Sequence, residues 1–411
     1  MSWRTASVGD LVDAGSADIQ TGPFGTQLKA SDYVDDGTPV INVRNIGFGG
    51  LRPEKLEFVT EETAERLATH LLEPRDIVFG RKGAVDRHLY VGDEQDNWMQ
   101  GSDCIRLRFF ATDVVPRFVS YAFLTETHQK WMLAQAGNKA TMASLNHDII
   151  RRITLRLPMP VVQEATVNIL AAYDDLIENN RRRMALLEEA ARQLYREWFV
   201  RLRFPGHEHT RITNGVPEGW EKIHLGDAVD TQYGYTQTAT DEPVGPQFLR
   251  GTDINKMPFI DWSTVPYCPI DAILQRKYQL RVGDIVIIRM ADPGKVAIIE
   301  RDIDAVFASY LIRLVLTNPR LTPYYLFYLL SDDAYQGFIS GVSTGSTRKT
   351  ASAPLLVDFH LLLPPQGLLR TFEDSVRPLR QQITTLLIQN EKLRAARDLL
   401  LPRLMSGKIA V

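Results

Sequence analysis

The sequence predicts an α+β protein with two duplicated domains, each built on a curved, mainly antiparallel sheet with helices, and two long coiled-coil helices. Three observations lead to this fold class. Similar strings recur in the two halves of the chain, short β-branched and aromatic runs alternate with turn residues, and each half ends in a heptad stripe. The 411 residues suffice for two or three domains, and a hydrophobic content of 44% can fill their cores.

Four pairs of strings recur in the same order along the chain. They are VGDLVD (8–13) with LGDAVD (225–230), GTPVINVRNI (37–46) with GPQFLRGTDI (245–254), EPRDIVFGRKG (73–83) with RVGDIVIIRMA (281–291), and ITLRLP (153–158) with FHLLLP (359–364). The spacing between the copies falls from 217 to 206 residues, which indicates small deletions in the loops of the second copy. Because the order is kept, we predict a duplication.

Residues 1–160 and 204–364 form the mixed part of each repeat. Runs such as PVINV, DIVFG and CIRLRFF are typical of short strands, and Gly, Pro and Asp turns separate them. Shorter helical patterns lie inside both segments, at 115–133 and 322–338. Each segment is therefore predicted to be one α+β domain.

Residues 161–203 and 365–411 are predicted to be helical over most of their length. Apolar residues recur there at alternating steps of three and four over about four heptads, with polar residues outside. The predicted seam residues are Leu170, Ile177, Asn180, Met184, Leu187 and Leu194 in the first helix, and Val376, Ile383, Leu386, Asn390, Leu393 and Leu400 in the second. Two ordinary amphipathic helices, each packed on its own domain, remain the alternative.

Composition and missing motifs exclude several classes of protein. No apolar run is long enough to span a bilayer, and two cysteines without a signal-like start favour a reducing cytoplasm over a secreted disulfide scaffold. No phosphate-binding Walker loop, methyltransferase D/N-P-P-aromatic string, nuclease carboxylate pattern or catalytic triad is present, and no metal-ligand set is predicted. We therefore expect the chain to bind something rather than to catalyse a reaction, and to need no cofactor of its own.

Loops that combine Gly with cationic or small polar residues are the candidate binding sites, because such loops can hold phosphates. The candidate residues in the first repeat are Arg44, Asn45, Arg81, Lys82, Arg87, Lys139 and Thr141, and those in the second are Arg250, Thr252, Arg289, Lys295, Ser346, Thr347, Arg348 and Lys349. Arg81, Arg87, Arg289 and Lys295 lie just beyond predicted strands and could read guanine edges, whereas Lys139 and Lys349 are assigned to phosphates. A solvated basic surface is the alternative for any single loop, but recurrence in both repeats favours two readers of one polymer.

Three strings resemble the specificity (S) subunits of type I restriction–modification systems. They are GPFGTQLKASDY (22–33), AAYDDLIENNRRRMALLEEAARQLYREWFVRLRFPGHE (171–208) and NEKLRAARDLLLPRLMSGKI (390–409). The second repeat departs from the pattern, since its first loop, QYGYTQTA (232–239), lacks the GPFG string.

The resemblance implies a non-catalytic, cytoplasmic subunit that reads a bipartite site in double-stranded DNA. Each mixed domain would be a target recognition domain, and the two helices would form an antiparallel coiled coil that separates them. Two modification (methyltransferase) subunits with S-adenosylmethionine would dock on the chain, and restriction subunits with ATP and Mg²⁺ would join them. A specificity protein for a single-polypeptide methyltransferase-nuclease, and a scaffold that binds no DNA, remain the alternatives.

The antiparallel register follows from the two asparagines on the seam. When paired residue numbers sum to 570, Asn180 faces Asn390, Ile177 faces Leu393 and Tyr173 faces Arg397. The neighbouring registers would leave both asparagine amides against apolar residues. We therefore predict the Asn180–Asn390 register.

Overall fold

The computed structural model describes residues 3–136, 144–342 and 349–411, which fall into two compact units. Unit 1 comprises Met1–Asp175 and Arg394–Val411, and unit 2 comprises Leu176–Leu393. Each unit thus contains one mixed segment together with parts of both long helices, so the helices do not form a separate body. The mixture of helices with mainly antiparallel sheets confirms the predicted α+β class.

The strands and helices are numbered in chain order. The strands of unit 1 are β1 (Arg4–Ser7), β2 (Ala17–Thr21), β3 (Tyr33–Val34), β4 (Thr38–Ile41), β5 (Phe48–Gly49), β6 (Glu57–Val59), β7 (Ile77–Gly80), β8 (His88–Tyr90), β9 (Met99–Gln100), β10 (Cys104–Phe109) and β11 (Thr154–Leu157). Those of unit 2 are β12 (Ile212–Thr213), β13 (Val216–Pro217), β14 (Glu221–His224), β15 (Val229–Tyr233), β16 (Gln247–Leu249), β17 (Ile285–Ile288), β18 (Met290–Ala291), β19 (Val296–Ile298), β20 (Ala305–Phe307), β21 (Leu311–Leu316), β22 (Lys349–Thr350) and β23 (His360–Leu363). The helices are α1 (Val8–Asp13), α2 (Glu61–Arg66), α3 (Pro116–Phe123), α4 (Glu126–Ala136), α5 (His147–Arg151), α6 (Pro160–Tyr195), α7 (Ala272–Tyr278), α8 (Pro323–Ser331), α9 (Asp333–Val342), α10 (Ala353–Val357) and α11 (Gln366–Met405).

The central sheets of the two units have the same strand order. In unit 1 the order is β2-β10-β7-β8, with β5 added in parallel at one edge. In unit 2 the order is β15-β21-β17-β19. A separate two-stranded pairing joins β1 to β11 in unit 1 and β14 to β23 in unit 2. Two of these corresponding pairs lie in repeated strings of the sequence. They are β7 with β17, and β11 with β23.

Local sequence explains why these elements form. The central strands β7 and β17 are apolar throughout and buried on both faces. Helix α1 begins with a capping box, in which Ser7 Oγ accepts from the Asp10 amide at 3.0 Å and the Asp10 carboxylate accepts from the Ser7 amide at 2.8 Å. Helices α3 and α8 both begin at a proline, whose fixed φ suits the first helical turn.

Helices α6 and α11 pack antiparallel, as contacts within unit 2 show. Asn180 pairs with Asn390, and Glu188 pairs with Arg380, so rising numbers in one helix meet falling numbers in the other. A π-helical turn, Arg196–Val200, continues α6 at its carboxyl end. Most predicted seam residues are buried, while the remainder, Leu187, Leu194, Leu393 and Leu400, are partly exposed.

The asparagine pair lies where the 570 register places it. Asn180 Nδ2 donates to Asn390 Oδ1 at 2.9 Å, and both side chains are buried. Asn390 Nδ2 also donates to the Ile177 carbonyl at 3.4 Å. The Arg397 guanidinium, which this register sets opposite Tyr173, donates to the neighbouring Asp174 carboxylate at 2.6 Å. A carboxylate is the stronger partner for a half-buried guanidinium.

Candidate nucleic-acid interface

One edge of the unit 1 sheet gathers several of the predicted loops. Strands β2 and β7 end at this edge, and β10, which is antiparallel to both, begins there. Three backbone hydrogen bonds connect the loops: Gly22 N to the Cys104 carbonyl at 2.9 Å, Arg81 N to the Asp103 carbonyl at 2.7 Å, and Leu145 N to the Arg81 carbonyl at 2.8 Å. The basic string that follows β7 therefore lies beside the segment that precedes α5.

The corresponding edge of the unit 2 sheet has the same three connections. Gly234 N donates to the Leu311 carbonyl at 3.1 Å, Arg289 N to the Tyr310 carbonyl at 2.9 Å, and Ala351 N to the Arg289 carbonyl at 2.8 Å. Arg289 thus occupies in unit 2 the position that Arg81 occupies in unit 1. We call these two edges, each with its loops, the loop edges of units 1 and 2.

A glycine is required at the same place in both loop edges. A Cβ atom on Gly22 would lie 2.0 Å from the Gly101 carbonyl oxygen, and one on Gly234 would lie 2.2 Å from the Ala308 carbonyl oxygen. Any side chain at either position would displace the backbone opposite. The first loop of the second repeat, which lacks the GPFG string, therefore keeps the glycine on which the close approach depends.

An arginine lies over an exposed aromatic ring in each loop edge. The Arg87 guanidinium carbon is 5.1 Å from the centre of the Phe48 ring, and that of Arg289 is 5.0 Å from the centre of the Tyr233 ring. Within the described part of the chain, neither Nε atom has a hydrogen-bond partner. Stacking on a ring orients the flat guanidinium and leaves its terminal nitrogens able to bind a ligand.

The lysines of the loop edges are exposed and differ in their partners. Lys82 Nζ lies 3.3 Å from the Asp103 carboxylate, with about half of each side chain exposed. Lys349 begins β22, which pairs with β18 so that Lys349 lies opposite Ala291. Ala291 is two residues after Arg289 in the sequence. Lys295 is also exposed, and it lies in the turn between β18 and β19. Exposed cations at the rim of each edge can bind phosphates or the edges of bases.

Three predicted residues are held by partners within the protein. Asn45 is fully buried, and its amide donates to the Arg52 and Glu54 carbonyls at 3.0 Å each, so its side chain is engaged within the protein and its contact with a ligand stays a prediction. Arg250 binds the Asp253 carboxylate through two nitrogens, and these hydrogen bonds raise the pKa of the guanidinium. Arg44 forms an ion pair with Glu57 at 2.5 Å but remains exposed.

The other predicted residues are either exposed or outside the described range. Thr252 is exposed beside Arg250. Lys139, Thr141, Ser346, Thr347 and Arg348 lie outside the described residues.

Exposed aromatic residues belong to the loop edges but were not predicted from the sequence. Phe24 is 66% exposed, Phe48 52% and Tyr310 51%. A sequence signal does exist, because Phe24 and Phe48 each stand next to glycine, where a ring can project from a turn. An exposed ring of this kind can stack on bases or pack against sugars.

No described helix is long and apolar enough to cross a membrane. No group of three His, Cys, Asp or Glu side chains in that part of the chain could hold a metal ion.

Comparison with known proteins identifies the class of protein to which this fold belongs. No family model matches the chain. The crystal structure of a type I restriction–modification system S subunit from M. genitalium superposes with a TM-score of 0.56 at 14% sequence identity, covering 98% of this chain and 96% of that one. The fold is therefore that of a type I S subunit.

The sequence relatives carry the same designation. The chain is 25% identical over 315 residues to the type I restriction enzyme MjaIX specificity subunit of Methanocaldococcus jannaschii, which covers 72% of this chain and 70% of the relative. It is 26% identical over 271 residues to the MjaVIII specificity subunit of the same organism, at 62% and 63% coverage. These findings confirm the resemblance seen in the sequence: the chain is a relative of type I restriction enzyme specificity subunits.

Proposed function

We propose that the chain is the non-catalytic subunit that gives a type I restriction–modification enzyme its DNA sequence specificity. The observation that carries the proposal is the equivalence of the two loop edges, where Arg81 and Arg289 have the same backbone environment. The two loop edges have equivalent geometry but different amino-acid sequences. They are therefore suited to read two different half-sites of one duplex. The names of the sequence relatives support the same role.

The loop edges contain the chemical groups needed for both kinds of DNA contact. An oriented guanidinium can donate two hydrogen bonds to guanine O6 and N7, which is worth about 1–3 kcal/mol against a wrong base. Exposed lysines at the rim neutralise phosphates and release counterions, which adds affinity without sequence preference. The net charge of −3 for the whole chain does not oppose this division, because each loop edge still presents Arg and Lys side chains.

The proposed DNA site is bipartite, with an unread spacer. Helix α6 has 36 residues and is therefore about 54 Å long at about 1.5 Å per residue. Half-sites about 34 Å apart, one turn of DNA, are compatible with a helix of this length. No palindrome is needed, because the two recognition domains differ in sequence.

The proposed assembly supplies the chemistry that the chain does not. Two modification subunits, which would bind S-adenosylmethionine, would dock on the chain, and restriction subunits would add ATP- and Mg²⁺-dependent cleavage. Such an enzyme acts on genomic and invading DNA, so we expect a cytoplasmic location. The chain itself would bind DNA and position the partners.

Selection from a random duplex library tests this function. The chain assembled with its modification subunits should enrich a motif of two short half-sites with a fixed gap. Enrichment of one continuous motif, or of none, would contradict the proposal. An assembly that binds no DNA at low salt would favour a scaffold role instead.

A further inference from the structure

The two long helices are repeat counterparts that differ at buried positions. The ends of β11 and β23, which directly precede α6 and α11, lie 206 residues apart, and the same spacing relates residues of the two helices. Two copies of the same helix could therefore pair in the register that α6 and α11 use. Whether they do depends on which side chains would then meet.

The asparagine layer favours the pairing of unlike helices. The counterpart of Asn180 is Leu386, and the counterpart of Asn390 is Met184; Met184 and Leu386 lie in one apolar cluster with Ile383. In a pair of two α6 helices Asn180 would face Met184, and in a pair of two α11 helices Asn390 would face Leu386. Either pair would bury unsatisfied amides, whereas α6 with α11 satisfies them.

The buried charges favour the same pairing. Arg380 of α11 is fully buried and binds Glu188 of α6, as well as Glu300 at 2.6 and 2.8 Å. Its counterpart in α6 is an acid, Asp174, which binds Arg397 at 2.6 Å. The charges are thus exchanged between the two helices.

Like helices would bring like charges together at this place. The counterpart of Glu188 is Arg394, so two α11 helices would set Arg380 against Arg394. Two α6 helices would set Asp174 against Glu188. A buried charge without an opposite partner is strongly destabilising.

Side-chain size adds a third difference. In unit 2 the Phe372 ring lies 4.9 Å from Phe199 and 5.9 Å from Trp198. The counterparts of these residues in unit 1 are smaller: Thr166, Met405 and Leu404, all of them buried. Two α11 helices would set Phe372 against Leu404 and Met405, and two α6 helices would set Trp198 and Phe199 against Thr166. Either pair would replace a large side chain by a smaller one and leave a cavity beside the aromatic rings.

From these differences we infer that the helix interface is selective: α6 accepts a helix with the residues of α11 and rejects a second α6, and α11 rejects a second α11. The partner that fits α6 is defined by an asparagine, a buried arginine and a bulky phenylalanine at the three places. Repeated helices that could otherwise join two chains through like pairs are thereby confined to the unlike pair. This inference does not depend on DNA binding.

In the full chain, replacing a residue of one helix by its repeat counterpart creates the contact that a pair of like helices would have at that place. Asn180→Leu sets leucine opposite Asn390, as in a pair of α11 helices, and Asn390→Met sets methionine opposite Asn180, as in a pair of α6 helices. Each should lower the midpoint of urea unfolding by about 0.5–1 M. The double variant, which forms an apolar layer like that of Met184 and Leu386, should recover most of this loss.

The matched control is Glu189→Ala, a counterpart substitution at an exposed position of α6, which should leave the midpoint unchanged. Two results would refute selectivity at the asparagine layer. One is that both single variants unfold at the same urea midpoint as the control, and the other is that the double variant has a lower midpoint than either single variant.

The charge layer is tested with Glu188→Arg, which sets an arginine against Arg380 as two α11 helices would. Its midpoint should fall by more than that of either asparagine variant. Glu189→Arg makes the same charge change one residue away, at an exposed position, and should have little effect. Equal midpoints for Glu188→Arg and Glu189→Arg would overturn the inference for the charge layer, and failure of Glu188→Arg to fold at all would support it provided that Glu189→Arg folds.

Discussion

Arg289 and Lys349 lie on the same loop edge but are assigned different roles, which separate experiments can distinguish. Arg289→Lys keeps the charge but loses the flat, two-pronged donor. It should relax one position of the recognised sequence and leave the salt dependence of binding nearly unchanged. Lys349→Ala should instead weaken binding to all sequences and lower the salt slope by about one.

Arg276→Ala is the control for both variants, since Arg276 is exposed on α7 and lies outside the loop edge strings. Binding isotherms on matched and mismatched duplexes at several salt concentrations supply both readouts. A uniform loss of affinity in Arg289→Lys, without relaxed sequence preference, would remove Arg289 from base reading.

His88 couples the stability of unit 1 to pH. The side chain is buried, with Nε2 2.8 Å from Ser120 Oγ, and burial lowers its pKa to about 3. Below the ordinary histidine pKa of about 6.5, the unfolded chain therefore binds a proton that the folded chain does not. Stability should fall as the pH drops from about 6.5 toward 3, with His88 contributing about 1.4 kcal/mol per pH unit.

His88→Val, which copies the Val296 counterpart in β19, should remove that part of the pH dependence. Urea unfolding at several values between pH 7 and 4.5 measures the slope, so a general loss of stability does not confuse the result. His209→Ala, at an exposed position, should keep the slope of the original chain. An unchanged slope in His88→Val would mean that His88 is protonated in the folded chain.

Among single residues, the sequence predicted the positions that depend on local context. Arg81 and Arg289 directly follow apolar strands, so their place at a sheet edge could be inferred. The burial of Asn45 could not be predicted, because the loop that follows it folds back and brings the Arg52 and Glu54 carbonyls to its amide. Arg380 stands at a position that the heptad pattern treats as outer, and only the packing of Glu300 against the helix buries it.

At the scale of elements, the long helices were predicted almost to their ends, because their apolar period persists over many turns. The asparagine register was also predictable, since each seam has one asparagine. The shortest strands, such as β3, β5 and β22 with two residues each, were not predictable. Their pairing is fixed by partners distant in sequence and not by a pattern of their own.

The long helices are also expected to set the spacer between the half-sites. Insertion of one turn, four residues, into α6 alone should break its register with α11 and destabilise the chain. Matched insertions in α6 and α11 should restore folding and lengthen the unread spacer. Methylome sequencing of a host that carries the matched variant measures the spacer directly, and an unchanged spacer would contradict this role for the helices.

At the scale of the whole molecule, the repeat made the fold class predictable, because matched strings imply matched domains. The division into units was not. The segments 1–160, 161–203, 204–364 and 365–411 stay predictions of recognition domains and helices, whereas the two compact units divide inside the helices, after Asp175 and after Leu393. Each part of a helix packs against a different mixed segment, and such long-range packing leaves no local signal in the sequence.

The central claim is that two equivalent loop edges read two separate half-sites. Its most direct test compares Arg81→Ala with Arg289→Ala in the assembled enzyme, using sequencing of the selected or methylated sites. Each variant should relax positions in one half-site only, a different half-site for each, while the spacer and the other half-site stay as they were. Relaxation of the same positions by both variants, or an unchanged motif in both, would contradict the account.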